Sequence, residues 1–317
     1  MLVRPDRILA VVLIVVCIVA ALGNWLVGAT PQAQAPANGR VQGGSSEVAL
    51  LEIYGTIGDE PTAPFPAGDS ANSNALIKSI RQAREDGVKA ILIHINSPGG
   101  TAAASEAVYN ELMRTRQETD IKIVASFGDI AASGGYYIAS AAHHIVANST
   151  SLTGSIGVIV RTQNVASLLD RIGVDTDTIQ SGRYKDILSP FRETTENERE
   201  ILQGIVRSSY EQFLGAIVDG REISLEELRP LADGRVFTGE QALEVNLVDS
   251  LGNSYDALKK AAELANIKGE PTVRNYSAPN FRDSLGIFLS ASLERFIPAY
   301  RETRLMRWNK IPLALRN

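Results

Sequence analysis

The sequence predicts an α/β domain built on a parallel sheet, on three observations. Short β-branched apolar runs alternate with segments of helical periodicity. No period of 20–50 residues repeats along the chain. Two Gly-rich turns fall at the C-terminal ends of predicted strands, the edge where open α/β sheets carry their ligand sites. Strand–helix alternation of this kind requires crossover helices, which leave neighbouring strands parallel. The 317 residues suffice for one large domain or two small ones. With 31 Lys and Arg against 36 Asp and Glu, the net charge is −5. That balance excludes binding driven by a broad basic surface, so nucleic acid is not expected as a partner. The single cysteine, Cys17, can close neither an internal disulfide nor a Cys-rich zinc site.

Taken in order, the chain opens on an apolar run over residues 8–27, interrupted only by Gly23 and Asn24. A helix needs about 20 such residues to cross a bilayer. Arg4 and Arg7 precede the run and no Lys or Arg follows until Arg40, so the N-terminus is expected in the cytoplasm and the remainder outside. Residues 1–29 are therefore read as a cytoplasmic stub and a single-pass transmembrane anchor. A cleaved signal peptide is the competing reading, with Ala33-Gln34-Ala35 as the cleavage-like site. The run exceeds the usual apolar region of about 7–15 residues, which favours the anchor. Residues 30–46, rich in Pro, Ala, Gln, Gly and Ser, read as a flexible linker.

From Glu47 the pattern is globular, and a domain is expected over 47–269. Strands are predicted at 48–57, 88–95, 122–127 and 143–147. Helices are predicted at 73–86, 102–118, 133–142, 195–221 and 256–265. The helix at 195–221 carries an apolar stripe through Ile201, Ile205, Phe213 and Ile217. Residues 270–317 show no clear pattern and form a C-terminal tail without an assigned role.

The first Gly-rich turn, Asn96-Ser97-Pro98-Gly99-Gly100, can present free backbone N–H groups to an incoming oxygen, although Pro-Gly is also a common turn. The second, Ala131-Ala132-Ser133-Gly134-Gly135, exposes a serine between small residues where a strand passes into a helix. An N-capping serine would look the same, and Ala131 departs from the G-x-S-x-G elbow. A base is needed. His94, His143 and His144 have no evident carboxylate to orient them, so packing is the expected role of all three. Lys185, in Ser181-Gly182-Arg183-Tyr184-Lys185-Asp186, is a candidate if burial lowers its pKa, and a surface charge otherwise.

These segments form an ordered series: IHINSPGG, FGDIAASGGYYIASAA, TGSIGVI, SGRYKD with SPFRETTENER, and DGRVFTGEQALEVNLVDSLG. Over about residues 47–265 the series resembles the bacterial signal peptide peptidase A family in its short single-domain form. The resemblance implies a ClpP/crotonase-like fold and a Ser/Lys-dyad serine endopeptidase. By motif, Ser133 corresponds to the nucleophile and Lys185 to the general base. Ser155 corresponds to a serine that orients the lysine, and Gly100 and Gly134 to the oxyanion donors. No metal or organic cofactor is implied. The family pattern further implies a homo-oligomer, a ring or dome with an octamer as one size, on the outer face of the cytoplasmic membrane. Each dyad is then shared between adjacent protomers. The implied substrates are hydrophobic remnants of signal peptides. Two other functions compete: a general envelope peptidase for misfolded or small proteins, and a catalytically silent membrane scaffold.

Overall fold

In the computed structural model, residues 47–59 and 70–277 are described. The apolar run at 8–27 and the linker at 30–46 lie outside them. Among the described residues, no helix is long and apolar enough to cross a membrane.

The strands form because β-branched and apolar residues run almost without interruption, the composition of a sheet covered on both faces. The central strands are β1 (Val48–Tyr54), β4 (Ala90–Ser97), β5 (Lys122–Ala132) and β6 (His144–Ala147). They pair in parallel, with Leu51 beside Ile93, Ile93 beside Ala125, and Ala125 beside Ile145. β9 (Ser250–Leu251) closes one edge and β10 (Val273–Asn275) the other. β10 lies in the stretch from 270 onward that the sequence left without a role. There it pairs in parallel with β1, Val48 opposite Val273. The predicted strand 48–57 is interrupted at Gly55, and β2 (Thr56–Gly58) turns away to pair with β3 (Ser70–Asn72).

Three helices cover one face. α1 (Ser73–Glu85) starts at Asn72, whose side chain accepts the Ala75 N–H at 2.9 Å. α2 (Ala102–Glu118) packs against α1 and against α3 (Gly134–Ala139). Ala49, Leu51 and Ile53 of β1 point into this layer with Leu76, Ile80, Val108 and Leu112. Val48 points the other way, towards Ala90, Leu92 and Val124 and towards Ala257 and Ala261 of a C-terminal helix (Ser254–Leu264). Alternate residues of one strand thus feed two separate cores.

The second half departs from this layering. α4 (Ala166–Ile172) buries no residue. α5 (Glu196–Arg221) buries Phe213, Leu214 and Ile217 in its C-terminal half, while Ile201 and Ile205 of the same predicted stripe stay exposed. α6 (Leu225–Leu228) and a 3-10 turn follow, then β8 (Val236–Thr238) and α7 (Gly239–Glu244), with Ser254–Leu264 as α8. β8 runs antiparallel to β7 (Leu152–Gly154), which itself pairs with the far end of β5.

The three histidines are structural. His143 Nδ1 accepts the Ile123 N–H at 3.0 Å, and His144 Nε2 meets Ser250 Oγ at 2.9 Å. His94 Nδ1 meets Ser254 Oγ at 3.2 Å. Burial lowers the pKa of each, that of His143 to about 4. A histidine held neutral in the fold but free to charge when unfolded stabilises above its ordinary value and loses that contribution as pH falls through the folded value. Stability is therefore expected to drop between about pH 6.5 and pH 4. His143→Gln, which keeps an acceptor without the titration, should flatten the fall in urea midpoint over this window. An unchanged slope would refute the assignment.

Candidate active site

Two backbones cross at the carboxyl edge of the sheet. Ile57 bridges to Gly100, with the Ile57 N–H donating to Gly99 O at 2.9 Å and the Thr101 N–H to Ile57 O at 3.0 Å. A Cβ on Gly100 would lie 1.8 Å from Ile57 O, so no side chain fits there. Gly99 has φ +101°, and a Cβ on it would lie 2.7 Å from Gly134 N and 2.8 Å from Ser133 Cβ. A Cβ on Gly134 would meet Ser105 Oγ and would lie 3.1 Å from Gly100 N. The first Gly-rich turn therefore lies directly against the second.

A register shift delivers the second turn. β4 and β5 pair in step as far as Ile95 and Phe127, and then Ser97 pairs with Ala131. Gly128, Asp129 and Ile130 are accommodated in the bulge between these pairs, where Asn96 Oδ1 accepts the Ile130 N–H at 3.2 Å. Past the bulge β5 continues to Ala132, five residues beyond the predicted end at 127, and meets β7. Extended pairing there ends at Ser133.

Ser133 has φ 51° and ψ −120°, a conformation costing a non-glycine residue about 1–3 kcal/mol. Its N–H donates to Gly154 O at 2.9 Å and its carbonyl accepts the Tyr137 N–H at 2.9 Å, so the strained turn is held from both sides. The half-buried Oγ makes no hydrogen bond among the described residues. The Gly134 N–H, in the first turn of α3, has no intrahelical acceptor. The Gly100 N–H has no acceptor among the described residues either. The turn lacks the G-x-S-x-G motif, yet its backbone is that of a sharp strand-to-helix elbow.

Ser155 follows Gly154 and has φ 50°, with its N–H donating to Arg235 O at 2.7 Å. The structure thus gathers Ser133, Gly100 and Gly134, with Ser155 one residue beyond the carbonyl that holds Ser133. It does not bring Lys185 to them by any hydrogen bond. Lys185 is exposed on a series of turns over residues 181–188, and its ammonium has no hydrogen-bond or ion-pair partner among the described residues. The loop is secured by Arg192, whose Nε and Nη2 each donate to the Asp186 carboxylate at 2.7 Å. No role at the site was expected for Ser105 or Arg192, and for Gly99 none beyond its place in the first Gly-rich turn. Gly99 was visible in the Pro-Gly-Gly run, whereas Ser105 and Arg192 carry no local signature.

A strained serine beside two unpaired backbone N–H groups, at the carboxyl edge of a mostly parallel sheet, is the arrangement of a serine hydrolase. The family models and the sequence relatives agree with this chemistry. The model for peptidase family S49 matches residues 115–268, and that for Clp protease matches 67–159. A Synechocystis sp. protein named as a protease is 43% identical over 221 residues, 70% of this chain and 75% of that protein. An Enterococcus faecium protein named as signal peptide peptidase SppA is 36% identical over 215 residues, 68% of this chain and 62% of the relative. A solved structure, a point mutant of ClpP1 from Listeria monocytogenes, superposes with a TM-score of 0.43 at 15% identity, covering 66% of this chain and 93% of that one. The chain belongs to peptidase family S49 and is a serine protease.

The close approach at Gly99 should not tolerate a methyl group. Gly99→Ala is expected to push the Ser133–Gly134 turn away from the first Gly-rich turn and to lower kcat/KM on a peptide substrate by on the order of 10²-fold. The thermal melt should stay cooperative. Wild-type turnover in this variant would show that the contact does not set the site.

Proposed function

We propose that this protein is a membrane-anchored endopeptidase that degrades hydrophobic signal-peptide remnants with a Ser133/Lys185 dyad. The observation that carries the proposal is the strained Ser133 turn flanked by the free N–H groups of Gly100 and Gly134. Ser133 Oγ attacks the scissile carbonyl carbon while its proton passes to the neutral Lys185 amine. The Gly100 and Gly134 N–H groups then stabilise the resulting oxyanion, by about 3 kcal/mol for each donor. As the C–N bond breaks, the Lys185 ammonium returns the proton to the leaving amine. Water, activated in turn by Lys185, releases the acyl group from Ser133. Ser155 orients the lysine amine.

The reading extends to an assembly of identical subunits in which Lys185 of one protomer serves Ser133 of its neighbour. Two features support it. Lys185 has no partner among the described residues of its own protomer, and apolar side chains crowd the same half of the chain without cover. Ile159 is 78% exposed and Ile179 97% exposed, and Leu168, Ile172, Leu188, Phe191 and Ile205 are also exposed. So large an apolar surface is a poor match for water and a good match for a second copy of this chain. Burial there would also supply the desolvation that a lysine base requires. The run at 8–27 and the arginines before it support anchoring in the cytoplasmic membrane with the protease domain outside.

Ser133→Ala and Lys185→Ala should each lower kcat on a Leu-rich peptide by about 10⁴-fold or more. A fluorophosphonate should label the wild type and neither variant. Mixing the two inactive variants should restore measurable turnover, because some sites then combine an intact serine with an intact lysine. Persistent inactivity in mixed oligomers would rule out the shared dyad.

A further inference from the structure

An ion cluster begins at the residue after Lys185. Asp186, the next residue, is bound by Arg192 through two parallel hydrogen bonds of 2.7 Å, and Arg192 Nη2 also donates to the Asp186 carbonyl at 3.3 Å. The other side of the same guanidinium grips Glu198, with Nη1 at 2.9 Å and Nη2 at 2.5 Å from its carboxylate. Glu198 has a side chain only 2% exposed and sits in the first turn of α5. There it also accepts from the Thr195 N–H and hydroxyl, each at 2.9 Å. One planar cation therefore ties the lysine-bearing turns to the start of the longest helix among the described residues, a geometry that arginine provides and lysine does not. Hydrogen bonding to Arg192 holds the Asp186 carboxyl below its ordinary range and Glu198 down at about 2. Both are therefore anionic at neutral pH.

The chemistry expected of Lys185 makes this arrangement consequential. A carboxylate on the adjoining residue favours an ammonium and so works against a lysine that has to be neutral to act as a base. Other charged groups on the neighbouring elements are Arg183 on the same turns, Glu193 on the following segment, Asp170 and Arg171 on α4, and Glu196 and Arg199 at the head of α5. None of these carboxylates adjoins Lys185 in the chain as Asp186 does, and both oxygens of Asp186 accept from Arg192.

We infer that Arg192 is a positioning residue for Lys185: it anchors the lysine turns to α5 through Glu198 and offsets the charge of Asp186, so that the amine can lose its proton. This rests on the proposed role of Lys185 as base. The hydrogen bonds of Arg192 go to Asp186, Glu193 and Glu198 and to none of the residues proposed to react.

The test is the pH profile of kcat/KM for the full-length chain in detergent, with a fluorogenic Leu-rich peptide and Lys185→Ala as control. In Arg192→Gln the acidic limb should move to higher pH, and kcat/KM at neutral pH should fall at least tenfold, mostly in kcat. Adding Asp186→Asn should return the limb towards its wild-type position. A merely structural role would lower activity at every pH and leave the limb where it was, and that result overturns the inference. If Arg192→Gln loses its cooperative melt, Glu198→Gln decides, because it frees Arg192 from its second carboxylate and leaves the guanidinium charge to Asp186. A limb shifted to lower pH supports the inference and an unmoved limb overturns it. Residual turnover of Lys185→Ala at the wild-type rate would instead remove the base assignment itself. An inactive Lys185→Ala beside an unshifted Arg192→Gln removes only the positioning role.

Discussion

The contact on which the site depends is between backbones. Ile57, Gly99, Gly100 and Gly134 approach so closely that a methyl group at position 100 would fall 1.8 Å from a carbonyl oxygen. This contact brings two turns distant in sequence into register, and leaves their free N–H groups side by side. It also bears on the strain at Ser133. A positive φ on a serine persists only where the surroundings over-determine it. Here the Gly154 carbonyl, the Tyr137 N–H and the flat Gly99 surface do so. Behind them, Tyr136 is fully buried and donates its hydroxyl to Leu247 O at 2.8 Å, which ties α3 to the turn before β9.

The two halves of the described chain differ in how they satisfy their apolar surface. The sheet built by the first half is filled on both faces, with α1, α2 and α3 on one side and α8, returning from the C-terminal end of the described residues, on the other. The second half leaves α4 without a buried residue and divides the stripe of α5 between core and solvent. A helix half buried along its length, rather than across its face, has the pattern of an element built to meet another surface. In the proposed assembly that surface belongs to the next protomer, and the same burial would dry the lysine. Stability of the assembly and competence of the base would then share a cause.

Much of the architecture was legible in the residues. The helix at 102–118 and the helix from 73 follow from periodicity and end signals, and the central strands follow from their β-branched runs. What was not legible depends on partners distant in sequence. β5 was expected to stop at Phe127. Asn96 instead holds a bulge there and the strand runs on. β10 has an unremarkable composition, and only the free edge of β1 makes it a strand. Ile201 and Phe213 look alike on the stripe of α5, and tertiary packing alone separates them.

Residue order was enough to establish the alternation of strands and helices and the placing of both Gly-rich turns at strand ends, whereas Ser133 and Lys185 stood out only through the resemblance of the motif series to a known family. The first two properties are written in local periodicity and residue chemistry. Folding in three dimensions was needed to establish that the two turns touch, that Ser133 is strained with its hydroxyl free, and that Arg192 binds Asp186 and Glu198 at once. Each of these depends on distances across the fold, and a linear pattern of residues carries no information about which of its distant parts will meet.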